Sequence, residues 1–232
     1  MATEAEEILQ AFFSTTSKVD THIVQSVKKE ILFYLEHTFG ELEPLVSDVF
    51  RLVNLYQMEN TNTVNFYDGC RLVAPIFERL TKKEKWSLYE IRVLATALSN
   101  HYSYQSACLL ADRLLEQLEA YRDEPNYIKT KIAICYNVMT SILHTKFEDQ
   151  ALWQELTLAH TLYFRYSNMC IALFQEMGYD IGISQVKIKQ SLVTDDFEAA
   201  TAELGKLKLL ENSHAYYSKI LKEYRDHMEL VN

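Results

Sequence analysis

Glycine and proline are scarce in this chain of 232 residues, which has 5 Gly and 3 Pro. Average usage is about 7% Gly and 5% Pro. Both residues make turns, so a fold with many turns is excluded. A β-sandwich or a doubly wound α/β sheet would need more glycine, whereas long helices with short connections would not. Excess positive charge is missing as well. The formal net charge is -9, the pI is near 5.3, and no basic run is longer than Lys28-Lys29 or Lys82-Lys83. Affinity for nucleic acid comes largely from Lys and Arg on phosphates, so this chain is not expected to touch nucleic acid directly. A basic start followed by an apolar stretch is also absent, because Glu4, Glu6 and Glu7 open the chain. That excludes a signal peptide of the usual kind. The longest stretch without Asp, Glu, Lys or Arg, Val93–Ala111, is interrupted by Ser99, Asn100, His101, Ser103 and Gln105. No membrane span is expected, and the chain reads as cytoplasmic.

Catalytic and metal-binding signatures are lacking too. Cys70, Cys108, Cys135 and Cys170 are widely separated and form no CxxC pair; they read as buried, reduced thiols. The seven histidines include no two spaced three or four apart, and no metal set is expected. No Gly-rich phosphate loop, GxSxG elbow or HExxH motif occurs. Asp195-Asp196 and Glu6-Glu7 read as solvated acidic surface. An enzyme is not expected, and no cofactor is implied.

What is present is helical periodicity. Residues 3–13 read as a short acidic helix. Ile23, Val27, Ile31 and Leu35 recur every fourth residue after Asp20, with Gly40 closing the helix. Pro44 suits the first turn of a third helix, and residues 59–63 read as a loop. A fourth helix spans Phe66–Leu80, with a kink or break predicted at Pro75. Further helices are predicted over 86–99, 104–121, 125–147, 150–177, 181–193, 196–209 and 213–230, with Gly178 ending the one before it. From residue 86 they pair as antiparallel hairpins. The predicted fold is all-α, a TPR-like helical-repeat solenoid. Residues 1–80 form the N-terminal helical part of the array and 81–232 its repeats, in one continuous domain.

One pattern rises above this background. No charge occurs from Ile132 to Thr145. Opposite the apolar stripe stand Thr130, Ala133, Asn137, Thr140, Ser141 and His144. A solvated face is normally charged and a buried one apolar, so uncharged hydrogen-bonding groups suit a groove that holds peptide backbone. Thr96, Ser99, Asn100 and His101 repeat the texture one hairpin earlier, and Ser184, Gln185 and Lys189 repeat it one hairpin later. The candidate peptide-binding residues are Arg92, Asn100, Lys131, Tyr136, Asn137, His144 and Gln185. Arg92, Lys131 and Lys189 could anchor a carboxylate or simply snorkel to the surface. The other reading of the polar set is a helix–helix packing layer. The last helix carries more apolar surface than a terminal helix needs. Tyr217, Leu221, Tyr224 and Met228 are therefore the expected interface of a homodimer.

The segment Trp86, Ser87, Leu88, Tyr89, Glu90, Ile91, followed by Ser99-Asn100, resembles a recurring segment of the Rgg/GadR/MutR family, bacterial transcription regulators that sense short peptides. The hairpin around Tyr121–Phe147 and the segment Gly178–Phe197 are similar in layout. The resemblance implies a TPR-like regulatory domain, a homodimer, a concave site for a short signalling peptide, and a helix-turn-helix DNA-binding domain. No stretch of this sequence fits that last domain, and Thr15–Leu35 lacks its turn glycine. DNA would be reached only through a domain outside this sequence. A scaffold that docks a protein partner, with no small ligand, is the alternative.

Overall fold

The structure, a computed structural model, describes residues 3–14, 21–38, 43–60, 65–148, 157–210, 217, 218, 220–222, 224 and 225. Among these residues there is no β-strand; the protein is all-helical. Two compact units divide the chain, Met1–Glu124 and Pro125–Asn232. Sequence reading places its only internal boundary near residue 80. The structure ties residues 81–87 to both sides, to Leu80 before them and to Arg113, Gln117 and Tyr121 after them, and the division falls within the turn of residues 122–126.

The first unit holds α1 (Glu4–Ser14), α2 (Thr21–His37), α3 (Pro44–Asn60), α4 (Phe66–Leu80), α5 (Leu88–Ala97) and α6 (Tyr104–Leu118). Short 3-10 turns follow α5 and α6. A capping box starts α1: Thr3 Oγ1 accepts from Glu6 N–H at 3.2 Å and Thr3 N–H donates to the Glu6 carboxylate at 2.8 Å. Ala5, Ile8, Leu9 and Phe12, one helical stripe, are buried. On α2 the buried stripe is Val24, Val27, Ile31 and Tyr34. Leu35 is only half-buried, so the true stripe is turned slightly from the every-fourth-residue series predicted for it. Side chains in helices lean toward the N-terminus and mix i+3 with i+4 spacings. Asn65 caps α4 by accepting from Asp68 N–H at 2.9 Å. The helix runs on through Pro75 to Leu80, so of the two outcomes predicted at that proline the break does not occur.

Trp86 fastens the next connection. Its indole N–H donates to Leu80 O at 2.7 Å, and Tyr121 Oη donates to Trp86 O at 3.0 Å. The Arg113 guanidinium lies 4.1 Å over the indole ring and donates to the carbonyls of Lys83 and Glu84. Ser87 then caps α5 in a full capping box with Glu90. The residues that carry the family resemblance thus act locally, since Trp86 anchors the connection and Ser87 and Glu90 begin the helix.

The second unit holds α7 (Tyr127–Glu148), α8 (Thr157–Glu176), α9 (Asp180–Val193) and α10 (Phe197–Leu209). Successive helices pack, α7 on α8, α8 on α9 and α9 on α10. The described residues between 217 and 225 are helical. Gly178 ends α8, as predicted. At φ +63° its N–H bonds to Gln175 O at 3.1 Å, and Tyr179 N–H reaches back to Phe174 O at 2.9 Å. The Tyr179 and Phe174 rings meet at 5.6 Å, which completes a Schellman end. The helix predicted over 150–177 is continuous over Thr157–Glu176, and residues 149–156 lie outside the described residues.

Candidate functional site

The predicted peptide residues fall in both units. Arg92 and Asn100 belong to the first, and their polar groups are engaged there. Arg92 projects from α5 and is half-buried. Its Nη2 donates to Phe13 O at 2.7 Å, and the guanidinium sits 4.2 Å over the Phe13 ring. The charge thereby closes the C-terminal end of α1, where helix dipoles favour cations. Burial holds the Arg92 pKa below its ordinary value. Asn100 is buried in the 3-10 turn after α5, where its Nδ2 donates to Ser99 Oγ at 3.2 Å. Its Oδ1 packs so closely on α4 that a Cβ built at Gly69 would stand 2.4 Å away. In the first unit, then, the polar texture is a packing layer.

Alongside it lies an ionic cluster that sequence reading missed. Asp48 of α3, 4% exposed, accepts from Arg79 of α4. The Arg79 guanidinium is also 4.0 Å from Glu90 of α5, and Lys83 Nζ reaches Glu90 at 2.5 Å. Burial raises the Asp48 pKa, against the pull of Arg79. Burial also works to raise Glu90, but the donors of Lys83 and Ser87 outweigh it and hold the carboxyl below its ordinary value. The signal was present in the sequence, since Asp48 interrupts the apolar run Val46–Val53 on the buried side of α3.

The second unit brings part of the predicted set together. Helix α7 is buried on nearly all sides, with Ile134, Cys135, Val138, Met139, Ile142 and Leu143 in the core. Among them Thr130, Asn137 and Ser141 are buried too. From α9 come Ser184, Gln185 and Lys189, each less than 9% exposed. Lys189 Nζ stands 5.2 Å from the centre of the Tyr136 ring, so α7 and α9 meet at a cation over an aromatic face. Lys131 points elsewhere: its Nζ donates to Tyr127 Oη at 3.0 Å, one turn back on its own helix. His144 is half-buried. Behind this layer, Gln190 donates to Ser167 Oγ at 2.7 Å and to Asn168 Oδ1 at 3.0 Å, linking α9 to α8. The Cys170 thiol donates to Ile132 O at 3.8 Å, and the neighbouring Cys135 thiol and burial both raise its pKa. All four cysteines are buried free thiols, as predicted.

The residues expected at a dimer interface are packed inside their own chain. Tyr217, Leu221 and Tyr224 lie against a cluster of Ile188, Leu192, Ala200, Leu204, Leu207 and Ile220. Tyr224 Oη also meets Thr201 Oγ1 at 3.0 Å. The side of this helix turned to solvent carries Ser218, Lys222 and Arg225. The apolar surplus that pointed to a partner copy is therefore largely used within the unit. Met228 lies outside the described residues.

Asp195 and Asp196, read as plain acidic surface, shape the backbone between α9 and α10. Asp195 takes φ +56° at the end of α9, and the Asp196 carboxylate caps α10 through Ala199 N–H at 3.0 Å. Among the described residues, no three His, Cys, Asp or Glu side chains are grouped to hold a metal ion, and no helix is long and apolar enough to cross a membrane. No family model matches the chain, and no curated protein or solved structure matches it significantly.

Proposed function

We propose that the second unit is a TPR-like binding module made of two helix hairpins, α7–α8 and α9–α10, and that it holds a short, apolar-leaning peptide along their first helices. The observation that carries this reading is the Lys189 ammonium over the Tyr136 ring, with Asn137 and Gln185 buried beside these two residues on the same helices. Each part has a use for a peptide. A carboxylate screened from water needs a cation, which Lys189 provides. The Asn137 and Gln185 amides can donate and accept together, as a peptide bond requires. The Tyr136 and His144 rings, half-buried on α7, offer apolar flanks. The reading assigns binding rather than catalysis to this chain. It also gives the chain the sensing role of the Rgg/GadR/MutR regulators it resembles, with peptide shifting the placement of one hairpin on the next.

Isothermal calorimetry against a panel of short apolar peptides tests the proposal. Micromolar binding of one peptide, lost in Asn137→Ala and weakened in Lys189→Met, is the expected result. Asn100→Ala, in the packing layer of the first unit, should leave it unchanged. A folded chain that binds none of the peptides would favour a scaffold that docks a protein partner instead. The homodimer implied by the resemblance is checked by equilibrium sedimentation, where a monomer would remove it.

A further inference from the structure

The first unit has a second feature of interest, independent of the peptide reading. Between α1 and α2 runs a groove of about 430 Å³ lined by Glu4, Glu7, Ile8, Lys29, Glu30 and Phe33. Its floor is apolar, since Ile8 is buried there, while Phe33 is 56% exposed at its edge. The Phe33 ring is held by the His37 ring at 4.0 Å, one turn on. Phe33 thus offers an aromatic ring to solvent at the edge of this concavity, next to the buried Ile8 side chain in its floor.

The rim is acidic. Glu4, Glu7 and Glu30 form no ion pair or side-chain hydrogen bond with any described residue. Lys29 is the only cation among the described lining residues. Its neighbour Lys28 is turned away to α3, where its Nζ donates to Gln57 at 2.6 Å. Three carboxylates and one ammonium thus share the lining of an apolar trough. The lining runs from Glu4 to Ile8 on α1 and from Lys29 to Phe33 on α2, about 6 Å along either helix.

We propose that this groove docks a basic amphipathic helix of a partner protein. Its apolar stripe would lie on Ile8 and Phe33, and its Lys or Arg residues would pair with Glu4, Glu7 and Glu30. This is helix-in-groove recognition, in which apolar anchors give affinity and the charged rim gives orientation and rate. About one turn of the partner helix covers the lining of either wall.

The test uses a synthetic amphipathic Leu/Lys helix as probe, followed by fluorescence anisotropy on the full chain, with a Leu/Glu helix as the opposite-charge control. The Leu/Lys helix should bind and the Leu/Glu helix should not. Phe33→Ser should weaken binding by about tenfold, the loss typical of a truncated anchor. The triple variant Glu4→Gln, Glu7→Gln, Glu30→Gln should weaken it at least as much. A remote triple variant, Glu116→Gln, Asp123→Asn, Glu124→Gln, removes the same charge from exposed positions of the same unit and should keep most of the binding. Asn137→Ala should leave it unchanged, which separates this groove from the peptide site. The substituted Glu and Asp positions are exposed, whereas Asn137 is buried, and circular dichroism verifies the fold of each variant. The proposal is overturned if the Leu/Lys helix fails to bind, if Phe33→Ser binds as the parent does, or if the remote variant loses as much as the groove variant.

Discussion

The two units bury polar groups in opposite ways. The first buries charge and pairs it: Asp48, Arg79, Glu90 and Lys83 link α3, α4 and α5, and Arg92 closes α1. The second keeps uncharged amides and hydroxyls in its core layer, with Lys189 as the buried cation among the described residues. In the first unit the Asp48 charge is met inside the fold by Arg79, whose Nε is a buried donor without a hydrogen-bond partner among the described residues. Amides on two neighbouring helices can exchange partners at small cost, which is what a binding surface needs. The same sequence texture therefore means packing in the first unit and, in the function we propose, recognition in the second.

Removing one partner from the ionic cluster gives the largest expected effect. Arg79→Met leaves Asp48 buried with its guanidinium gone, and a broken buried pair costs about 3–5 kcal/mol. The measurement is the urea midpoint at pH 7. Burial already raises the Asp48 pKa, and Arg79 works against that rise. Without Arg79 the folded variant takes up a proton at higher pH than the unfolded chain does, so its deficit should shrink as pH falls from neutral toward 5. Adding Asp48→Asn should recover part of the loss at neutral pH. In the second unit, Asn137→Leu should cost far less, because no charge is left behind. Equal losses in the two units would break the comparison.

Next come two glycines, one in each unit, that mark close approaches. A Cβ at Gly69 would stand 2.4 Å from Asn100 Oδ1 and 3.3 Å from Leu55 Cδ1; one at Gly182 would stand 2.7–2.8 Å from three atoms of the Phe174 ring. Overpacking of this kind costs about 1–3 kcal/mol. Gly182→Ala should be the milder of the two, because the Phe174 ring is at the rim of the core, 8% exposed, and can tilt. Asn100 is confined between Gly69 and Ser99. Thermal unfolding of both variants ranks them, and the reverse order would show the first unit to be the more adaptable.

Most of the helices were legible because apolar residues recur at helical spacing. Phe66–Leu80 was read to the residue, and Gly178 was recognised as a helix end. The caps at Thr3, Asn65 and Ser87 were not, since each is a polar residue like many others until the N–H it accepts from is placed. The candidate site was legible in part for a similar reason. An uncharged helix face is visible in sequence, but whether its groups meet a neighbouring helix or an open groove depends on tertiary packing. Asn100 and Asn137 look alike in the sequence. Only packing sets Asn100 against Gly69 and places Asn137 beside the Tyr136–Lys189 contact. Tyr217, Leu221 and Tyr224, expected at an interface, pack partly on the core of α9 and α10, which a count of apolar residues on one helix does not reveal.

A smaller effect separates the units by pH. His101 in the first unit is pressed against Phe77 at 4.7 Å and takes the Ser103 N–H at Nδ1 at 3.2 Å, a bond that uses the neutral ring. Burial holds its pKa below the usual 6.5. The unfolded chain therefore takes up a proton before the folded one as pH drops, and stability falls with pH below about 6.5, by at most about 1.4 kcal/mol per pH unit. The slope between pH 7 and pH 5.5, measured by urea unfolding, should flatten in His101→Phe.

The smallest expected change is a gain, and it lies in the second unit. Asp195 occupies the left-handed position at the end of α9 with φ +56°. Asp196 N–H bonds back to Ser191 O at 2.9 Å and Asp195 N–H to Leu192 O at 3.4 Å, the same pair of bonds that Gly178 makes possible at the end of α8. A side chain at that φ is strained and glycine is not. Asp195→Gly should therefore stabilise the chain by about 1 kcal/mol, and Gly178→Ala should cost about as much, both read from the thermal midpoint. The cap of α10 comes from Asp196, so it survives the exchange at Asp195. If Asp195→Gly instead destabilised the chain, the carboxylate at position 195 would be contributing more through its charge than its backbone loses through strain. The second unit would then rely on ionic contacts as the first does.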